Sequence, residues 1–276
     1  MNAGDILLSL VRDFPYALIG SAVLGAACAF LGTHIVAKRV VFYSAVLTQV
    51  SVLGLALTFL PVFPISHAIG SLGLTLISAL LLSGLLTRRR LTRDAVLGVV
   101  FTGAIALRIL VLQMTSTVDS AEIETLLRGD ILFVTAELFY PVLGVAVVVL
   151  GLHVAFFKEF VYVSFDAETA STQGFRTAGW EMLFYATAAA VIALGTHMVG
   201  DLFVFGFMVL PAATALLVVR RVSRIFLTAT VIGAFVPMLG LVVAFAADFP
   251  AGPTSLALAL VLLLCAAIAA RLRPQQ

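Results

Sequence analysis

Residues 182–247 read MLFYATAAAVIALGTHMVGDLFVFGFMVLPAATALLVVRRVSRIFLTATVIGAFVPMLGLVVAFAA, and the only acidic residue among them is Asp201. A bilayer core about 30 Å thick is spanned by about 20 apolar residues, because an α-helix rises about 1.5 Å per residue. The stretch divides into apolar runs of this length at 182–199, 202–219 and 225–247. It therefore predicts successive transmembrane helices.

The rest of the 276-residue chain has the same character. Apolar residues make up 62% of it and charged residues 11%, and the mean hydropathy is +1.19. A water-soluble protein needs a more polar surface than this composition provides. We therefore predict an all-α, polytopic membrane bundle of about eight or nine spans, forming one transmembrane domain over residues 1–276. Only Gly200 and Asp201 separate two of the runs above, a spacing also compatible with a broken or re-entrant helix. Further spans are predicted at 17–37, 40–60, 67–86, 95–114, 136–157 and 254–270.

Basic residues collect on one side of these spans. Of the 16 Lys and Arg residues, all but Arg12, Arg108 and Arg128 fall on the same side of a nine-helix bundle. Cytoplasmic connections carry the excess of Lys and Arg in membrane proteins, which predicts an external N-terminus and a cytoplasmic C-terminus. On the external side, residues 116–133 have Leu and Ile at helical spacing. They predict a short amphipathic helix at the membrane surface.

One connection on the cytoplasmic side, residues 163–176, has the features of a capped helix. Ser164 precedes two acidic residues, Asp166 and Glu168, which suit a first helical turn, and Gly174 suits the position after the last turn. This pattern predicts a short helix that begins next to Ser164 and ends at Gly174. Such a helix either docks onto a partner subunit or is a plain surface linker.

Motifs for enzyme chemistry are absent from the sequence. It contains no GxxxxGK[ST] phosphate-binding loop and no GxSxG or HExxH pattern, and Cys28 and Cys265 lie in apolar runs without a CxxC pair. The net charge of +2 gives no reason to expect a nucleic-acid partner. We therefore predict a transport protein rather than an enzyme. Its cargo would be recognised by the few polar groups inside the membrane.

Several segments in series resemble the membrane permease of the metal-ion class of bacterial ABC importers, which carry zinc, manganese or iron. The resemblance spans essentially the whole chain, and its most specific parts are the LPAATA and PAGPT elements and the cytoplasmic loop. The segments are KRVVFYSAVLTQVSVLGLAL (38–57), DAVLGVVFTGAIAL (94–107), LLRGDIL (126–132), VSFDAETASTQG (163–174), VGDLFVFGFMVLPAATA (199–215) and DFPAGPTSLAL (248–258).

This resemblance implies an assembly in the bacterial inner membrane. A second permease copy, identical or different, would complete the pathway within the lipid, and separate ABC ATPase subunits would bind ATP. An external solute-binding protein would deliver the cargo, and the chain itself would hold no cofactor. The resemblance also implies that the cytoplasmic helix with Asp166, Glu168 and Gly174 docks onto the ATPase.

The sequence departs from the family at its metal-ligand positions. The family usually has an Asp and, four residues later, a His in the second helix, and these positions here are Ala45 and Gln49. Alanine cannot ligate, and a neutral carboxamide is a weak ligand for Zn²⁺ or Mn²⁺. Three hypotheses stay open: a divalent-ion permease whose ligands lie elsewhere or on the partner permease, a permease for a metal chelate or other small organic cargo, and a non-transporting partner subunit.

Two charges, one inside a predicted span and one at the junction between two spans, bear on this choice. Arg108 and Asp201 both fall in the outer half of the bilayer. We expect them to pair with each other, or Arg108 to reach the interface, and as an alternative to contact the cargo. Arg108 suits an anionic group, which favours the chelate hypothesis.

Four histidines are the remaining candidates for metal binding. His67 and His197 lie at the external ends of their helices, where they predict either a relocated metal site or ordinary hydrogen bonds at the interface. His34 and His153 lie near cytoplasmic ends, and their spacing predicts no cluster.

Overall fold

A computed structural model describes residues 10–62, 65–85, 92–114, 131–174 and 176–272. Long α-helices account for most of these residues, as the apolar runs predict. The helices are α1 (Pro15–Ala37), α2 (Phe42–Leu57), α3 (His67–Leu85), α4 (Arg93–Met114), α5 (Ala136–Ala155), α6 (Phe157–Phe165), α7 (Ala167–Thr172), α8 (Thr177–Val199), α9 (Asp201–Val218), α10 (Val222–Ala247) and α11 (Ala251–Leu272).

The predicted polytopic helical bundle is confirmed. Each predicted span corresponds to one helix, in order α1–α5 and α8–α11. Eight of these helices are long and apolar enough to cross a membrane, and the other, α2, is a shorter apolar helix of 16 residues. The predicted external amphipathic helix lies almost wholly outside the described residues. Only its end is described, as a 3₁₀ turn at Ile131–Phe133.

Helix α1 forms the centre of the bundle. It packs most extensively against α10 and α9, and also against α5. Helix α2 packs against α3, α4, α8 and α9, so α8 and α9 join the two halves of the bundle. Most of α1 and α8 is buried, whereas α4 and α11 lie at the periphery with large apolar side chains exposed. The periphery is therefore suited to lipid or to a second permease copy.

Small residues allow the central helices to approach closely. A Cβ atom at Gly25 in α1 would collide with the backbone carbonyl of Gly233 in α10, and a Cβ atom at Gly233 would collide with that of Gly25. Such contacts are typical of helix pairs in membranes, where close packing takes the place of the hydrophobic effect. The α1–α10 crossing thus holds the core of the bundle in a defined position.

Except for Arg12 and Arg108, the basic residues of the described chain lie at one end of the bundle, which we call the basic end. It is formed by the C-terminal ends of α1, α3, α5, α9 and α11 and by the N-terminal ends of α2, α4, α8 and α10. Its described basic residues are Lys38, Arg39, Arg93, Lys158, Arg176, Arg220, Arg221, Arg224 and Arg271. The positive-inside rule predicts that this end faces the cytoplasm.

At the basic end, the predicted capped helix differs from the prediction in its start. Ser164 does not cap it, because Ser164 lies in the last turn of α6. The cap is Asp166, whose carboxylate Oδ1 accepts a hydrogen bond of 2.9 Å from the backbone N–H of Thr169. Asp166 ends α6 and begins α7, so the two helices share one residue as a joint. An Asp side chain satisfies this role as well as Ser, which is why the sequence pattern placed the start two residues early.

Candidate functional site

Three polar side chains from separate helices meet within the bundle. Gln49 of α2 donates from Nε2 to Oδ2 of Asp201, the first residue of α9, over 2.8 Å. Arg108 of α4 donates from Nη1 to Oε1 of Gln49 over 3.1 Å. We call Gln49, Arg108 and Asp201 the polar triad. All three are half-buried.

The partners of Gln49 fix the orientation of its amide. A guanidinium only donates hydrogen bonds and a carboxylate only accepts them, so Oε1 must face Arg108 and Nε2 must face Asp201. Arg108 and Asp201 therefore make no direct ion pair, and their charges compensate each other through an aligned amide dipole. The expected direct pair of Arg108 and Asp201 is thus not formed, and Gln49 links the two side chains instead.

The polar triad lies well below the end of the bundle opposite the basic end. Gln49 is eight residues before Leu57 at the end of α2, which places it about 12 Å below that end. Arg108 is six residues before Met114, or about 9 Å below the end of α4. Because Asp201 contacts Gln49, the junction between α8 and α9 is recessed into the bundle.

The backbone at this junction turns at Gly200, whose φ is +91°. Asp201 then begins α9, and its Oδ1 accepts a hydrogen bond of 2.8 Å from the backbone N–H of Leu202. Negative charge at a helix N-terminus is stabilised by the unpaired N–H groups there. The local structure therefore directs the Asp201 carboxylate at Gln49. Both α8 and α9 remain long enough to span a membrane.

The triad is not a metal centre made of protein ligands. Ala45 lies one turn before Gln49 in α2, is 7% exposed, and offers no ligand atom. Within the described ranges, no group of three or more His, Cys, Asp or Glu side chains could hold a metal ion. Arg108 supplies the positive charge that an ion would otherwise supply. Its remaining N–H groups make no hydrogen bond to the described part of the chain.

The two histidines of the opposite end are less organised than a metal site requires. His67 shares a short hydrogen bond with the Thr58 hydroxyl through Nδ1, and its ring lies 4.7 Å from that of Phe59. His197 is half-buried, and its Nδ1 has no partner among the described residues. The arrangement of His67 matches the hydrogen-bonding alternative of the prediction.

The prediction that His34 and His153 do not cluster is wrong. Both are fully buried, and their ring centroids are 5.7 Å apart. His34 shares a hydrogen bond of 3.0 Å between Nδ1 and the Ser164 hydroxyl, and His153 donates from Nδ1 to the Val149 carbonyl at 2.9 Å. The sequence alone does not identify Ser164 as the partner of His34. The two residues are 130 positions apart, and no sequence motif relates them.

These contacts connect the core helix α1 to the α6–α7 segment. Besides the His34–Ser164 bond, Lys38 at the end of α1 donates to the Val163 carbonyl at 3.4 Å and to the Glu181 carboxylate at 3.1 Å. The segment then continues through the Asp166 cap into α7 and ends at Gly174, whose φ is +88°. A left-handed backbone favours glycine at that position. Glu168 lies in the first turn of α7.

Residues 14–270 match the model of a family described as the ABC 3 transport family. The chain belongs to this family. ABC 3 members are transport components of membranes rather than enzymes, and the inner membrane is their location in bacteria. An ABC 3 chain is the permease component of an ABC transporter, and such transporters also contain ATPase and solute-binding components.

Two curated relatives and one solved structure illustrate the similarity. The chain is 26% identical to a "Probable iron transport system membrane protein" of Haemophilus influenzae, over 93% of this chain and 92% of the relative. It is 28% identical to the "Chelated iron transport system membrane protein YfeC" of Yersinia pestis, over 88% of this chain and 83% of the relative. The structure "PsaBC from Streptococcus pneumoniae in complex with Fab" has a TM-score of 0.82 at 22% identity, over 95% and 94% of the two chains. This ABC 3 chain thus shares the fold of that structure over nearly its full length.

Proposed function

We propose that this chain is the membrane-spanning subunit of an ATP-driven importer whose cargo is a metal species, and that the cargo passes the polar triad. The observation that carries the proposal is the convergence of Gln49, Arg108 and Asp201 from three helices inside the membrane. Ionisable groups at such a depth are costly and mark transport pathways. The names of the relatives, which refer to iron, support a metal as the cargo.

The partners of this proposal follow from the chain's own surfaces. The α6–α7 segment is the described helical connection at the basic end, and it would dock onto a separate ABC ATPase subunit that binds the ATP. The exposed apolar helices α4 and α11 would face lipid or a second permease copy. An external solute-binding protein would deliver cargo at the opposite end. Ala45 lies on the same face of α2 as Gln49, one turn nearer the basic end.

A path of contacts joins the proposed docking segment to the triad. A displacement of α7 would act on α6 through the Asp166 joint, and on α1 through the bonds of Ser164 to His34 and of Val163 to Lys38. Helix α1 packs against α9, which begins with Asp201. Movement driven by ATP would thus reach the carboxylate that holds Gln49.

The docking segment provides the test of this proposal. The double variant Glu168→Ala/Gly174→Val should lose co-purification of the ABC ATPase and should lose ATP-driven uptake at least tenfold. A valine at a φ of +88° is strained, so the turn that follows α7 would change. Co-purification from detergent-solubilised membranes and uptake into cells are the two measurements.

Gln173→Ala serves as the matched control, because it is an exposed neighbour at the end of α7 with a negative φ. It should keep both activities. Unchanged co-purification and unchanged uptake in the double variant, at normal membrane abundance, would contradict a docking role for this segment. If the ATPase does not co-purify even with the natural chain, the importer proposal itself is wrong.

A further inference from the structure

Arg108 makes the polar triad unsuited to a bare cation. The guanidinium is always charged, and it contributes a positive charge at the place where a metal ion would have to bind. Asp201 carries one negative charge, which Gln49 already links to Arg108. A divalent cation arriving there would meet a charge-compensated site with a positive group beside it. An anionic group, by contrast, would find guanidinium N–H donors on Arg108 to which no described residue is hydrogen-bonded.

A cavity of about 410 Å³ opens at the basic end, and we call it the basic cavity. It lies between α1, α4, α6 and α8, beside the connection from α1 to α2. A volume of this order accommodates a small organic ligand. Its charged and polar lining residues are Lys38, Arg39, Arg93, Ser164, Glu181 and Tyr185.

The charges of the basic cavity also favour an anion. Glu181 forms an ion pair with Lys38, whose side chain is only 6% exposed. Burial lowers the pKa of Lys38, and the Glu181 carboxylate opposes this effect. Arg39 and Arg93 have no carboxylate partner in the described part of the chain. The cavity thus carries an excess of positive charge.

The polar triad and the basic cavity lie along the same helices. Arg93 and Arg108 both belong to α4 and are 15 residues apart, or about 22 Å. Helix α2 starts three residues after Arg39 and carries Gln49. An excess of exposed Lys and Arg at a cytoplasmic face is ordinary. A guanidinium within the membrane and a buried lysine at the cavity below it are not explained by that rule.

We propose that the cargo crosses as an anionic metal complex, in which carboxylate or similar oxygen donors already surround the metal, and that the basic cavity is its second binding site. This inference rests on the proposed function, since it specifies the chemical form of the metal cargo. At the polar triad, an anionic oxygen of the complex accepts a hydrogen bond from Arg108 in place of Oε1 of Gln49. Gln49 can then move with α2. At the basic cavity, Arg39 and Arg93 bind the complex before release. No bond to the metal changes at either site.

Binding by the purified full-length chain tests the inference with two probes, Fe(III)–citrate and Mn²⁺ alone. Isothermal titration calorimetry in detergent should show binding of Fe(III)–citrate, and Mn²⁺ should bind at least tenfold more weakly. Arg108→Gln should weaken Fe(III)–citrate binding at least tenfold, and Arg39→Gln/Arg93→Gln should weaken it about fivefold. Arg176→Gln, a change at an exposed arginine of the basic end outside the cavity, should leave it unchanged.

Arg108→Lys covers the possibility that Arg108→Gln does not fold, because it retains the charge inside the membrane. It should keep Fe(III)–citrate binding within a few-fold of the natural chain. Mn²⁺ binding as tight as Fe(III)–citrate binding, or no Fe(III)–citrate binding by folded protein, would overturn the inference. So would an equal effect of Arg176→Gln.

Acidic lipid is the competing occupant of the basic cavity. If phosphatidylglycerol vesicles abolish the effect of Arg39→Gln/Arg93→Gln and leave that of Arg108→Gln intact, the cavity binds headgroups and its assignment as a cargo site is wrong. Failure of the proposed function looks different. In that case Fe(III)–citrate still binds with the expected dependence on Arg108, but no ATP-driven uptake of any metal form occurs.

Discussion

Asp201→Ala and Arg108→Ala should each lower the stability of the purified protein by about 3 kcal/mol, and the double variant should recover more than half of the summed loss. Each single change leaves one charge inside the bundle without its compensating partner, and Gln49 can satisfy only one side of it. The double change removes both charges together. Thermal unfolding in detergent, followed by tryptophan fluorescence or by loss of a monodisperse peak, measures the effect.

An exposed pair provides the control for this cycle. Arg12→Ala and Asp13→Ala, both at exposed positions near the first helix, should change stability by less than about 0.5 kcal/mol. Additive losses in Asp201→Ala/Arg108→Ala would contradict the linkage of the two charges through Gln49.

Metal binding should appear when the guanidinium is removed and ligands are supplied. We expect the variant Ala45→Asp/Gln49→His/Arg108→Ala to retain about one Zn²⁺ or Mn²⁺ per protomer after purification, against almost none for the natural chain. The introduced carboxylate and imidazole would lie at i and i+4 on one face of α2. Asp201, whose carboxylate contacts the side chain at position 49, would supply a third ligand. Elemental analysis gives the metal content.

The double variant Ala45→Asp/Gln49→His is the informative control, because it keeps Arg108. It should retain clearly less metal than the triple variant, since the guanidinium then remains beside the new ligands. Equal metal content in the two variants would show that Arg108 does not exclude cations. No metal in either would show that position 45 does not face the triad.

The spans could be predicted from the sequence because a membrane helix is determined by its own consecutive residues. Consecutive residues determine both its length and its apolar character. The sequence predicts α10 and α11 to within about three residues at each end. The predicted cap of α7 was less accurate. Ser164 and Asp166 are both good N-cap residues, and only the continuation of α6 through Ser164 decides between them.

The contacts of the site were only partly predictable. Arg108 and Asp201 are charged residues in apolar stretches of sequence, so the sequence alone identifies them as candidate site residues. Tertiary packing determines which helices α2 and α4 contact. The role of Gln49 as the link between the two charges therefore cannot be predicted from the sequence. The same holds for His34 and His153, which approach each other because α1, α5 and α6 meet, although no spacing in the sequence relates them.

We propose above all that this chain forms the membrane path of an ATP-driven metal importer. The most direct test of this proposal is uptake of radioactive metal into liposomes containing this chain and its ABC ATPase, with Mn²⁺ and Fe(III)–citrate offered separately. We expect accumulation of metal that requires ATP, and that is lost in Glu168→Ala/Gly174→Val without loss of ATPase activity in solution. Vesicles that hold both subunits, hydrolyse ATP and accumulate neither metal form would contradict it.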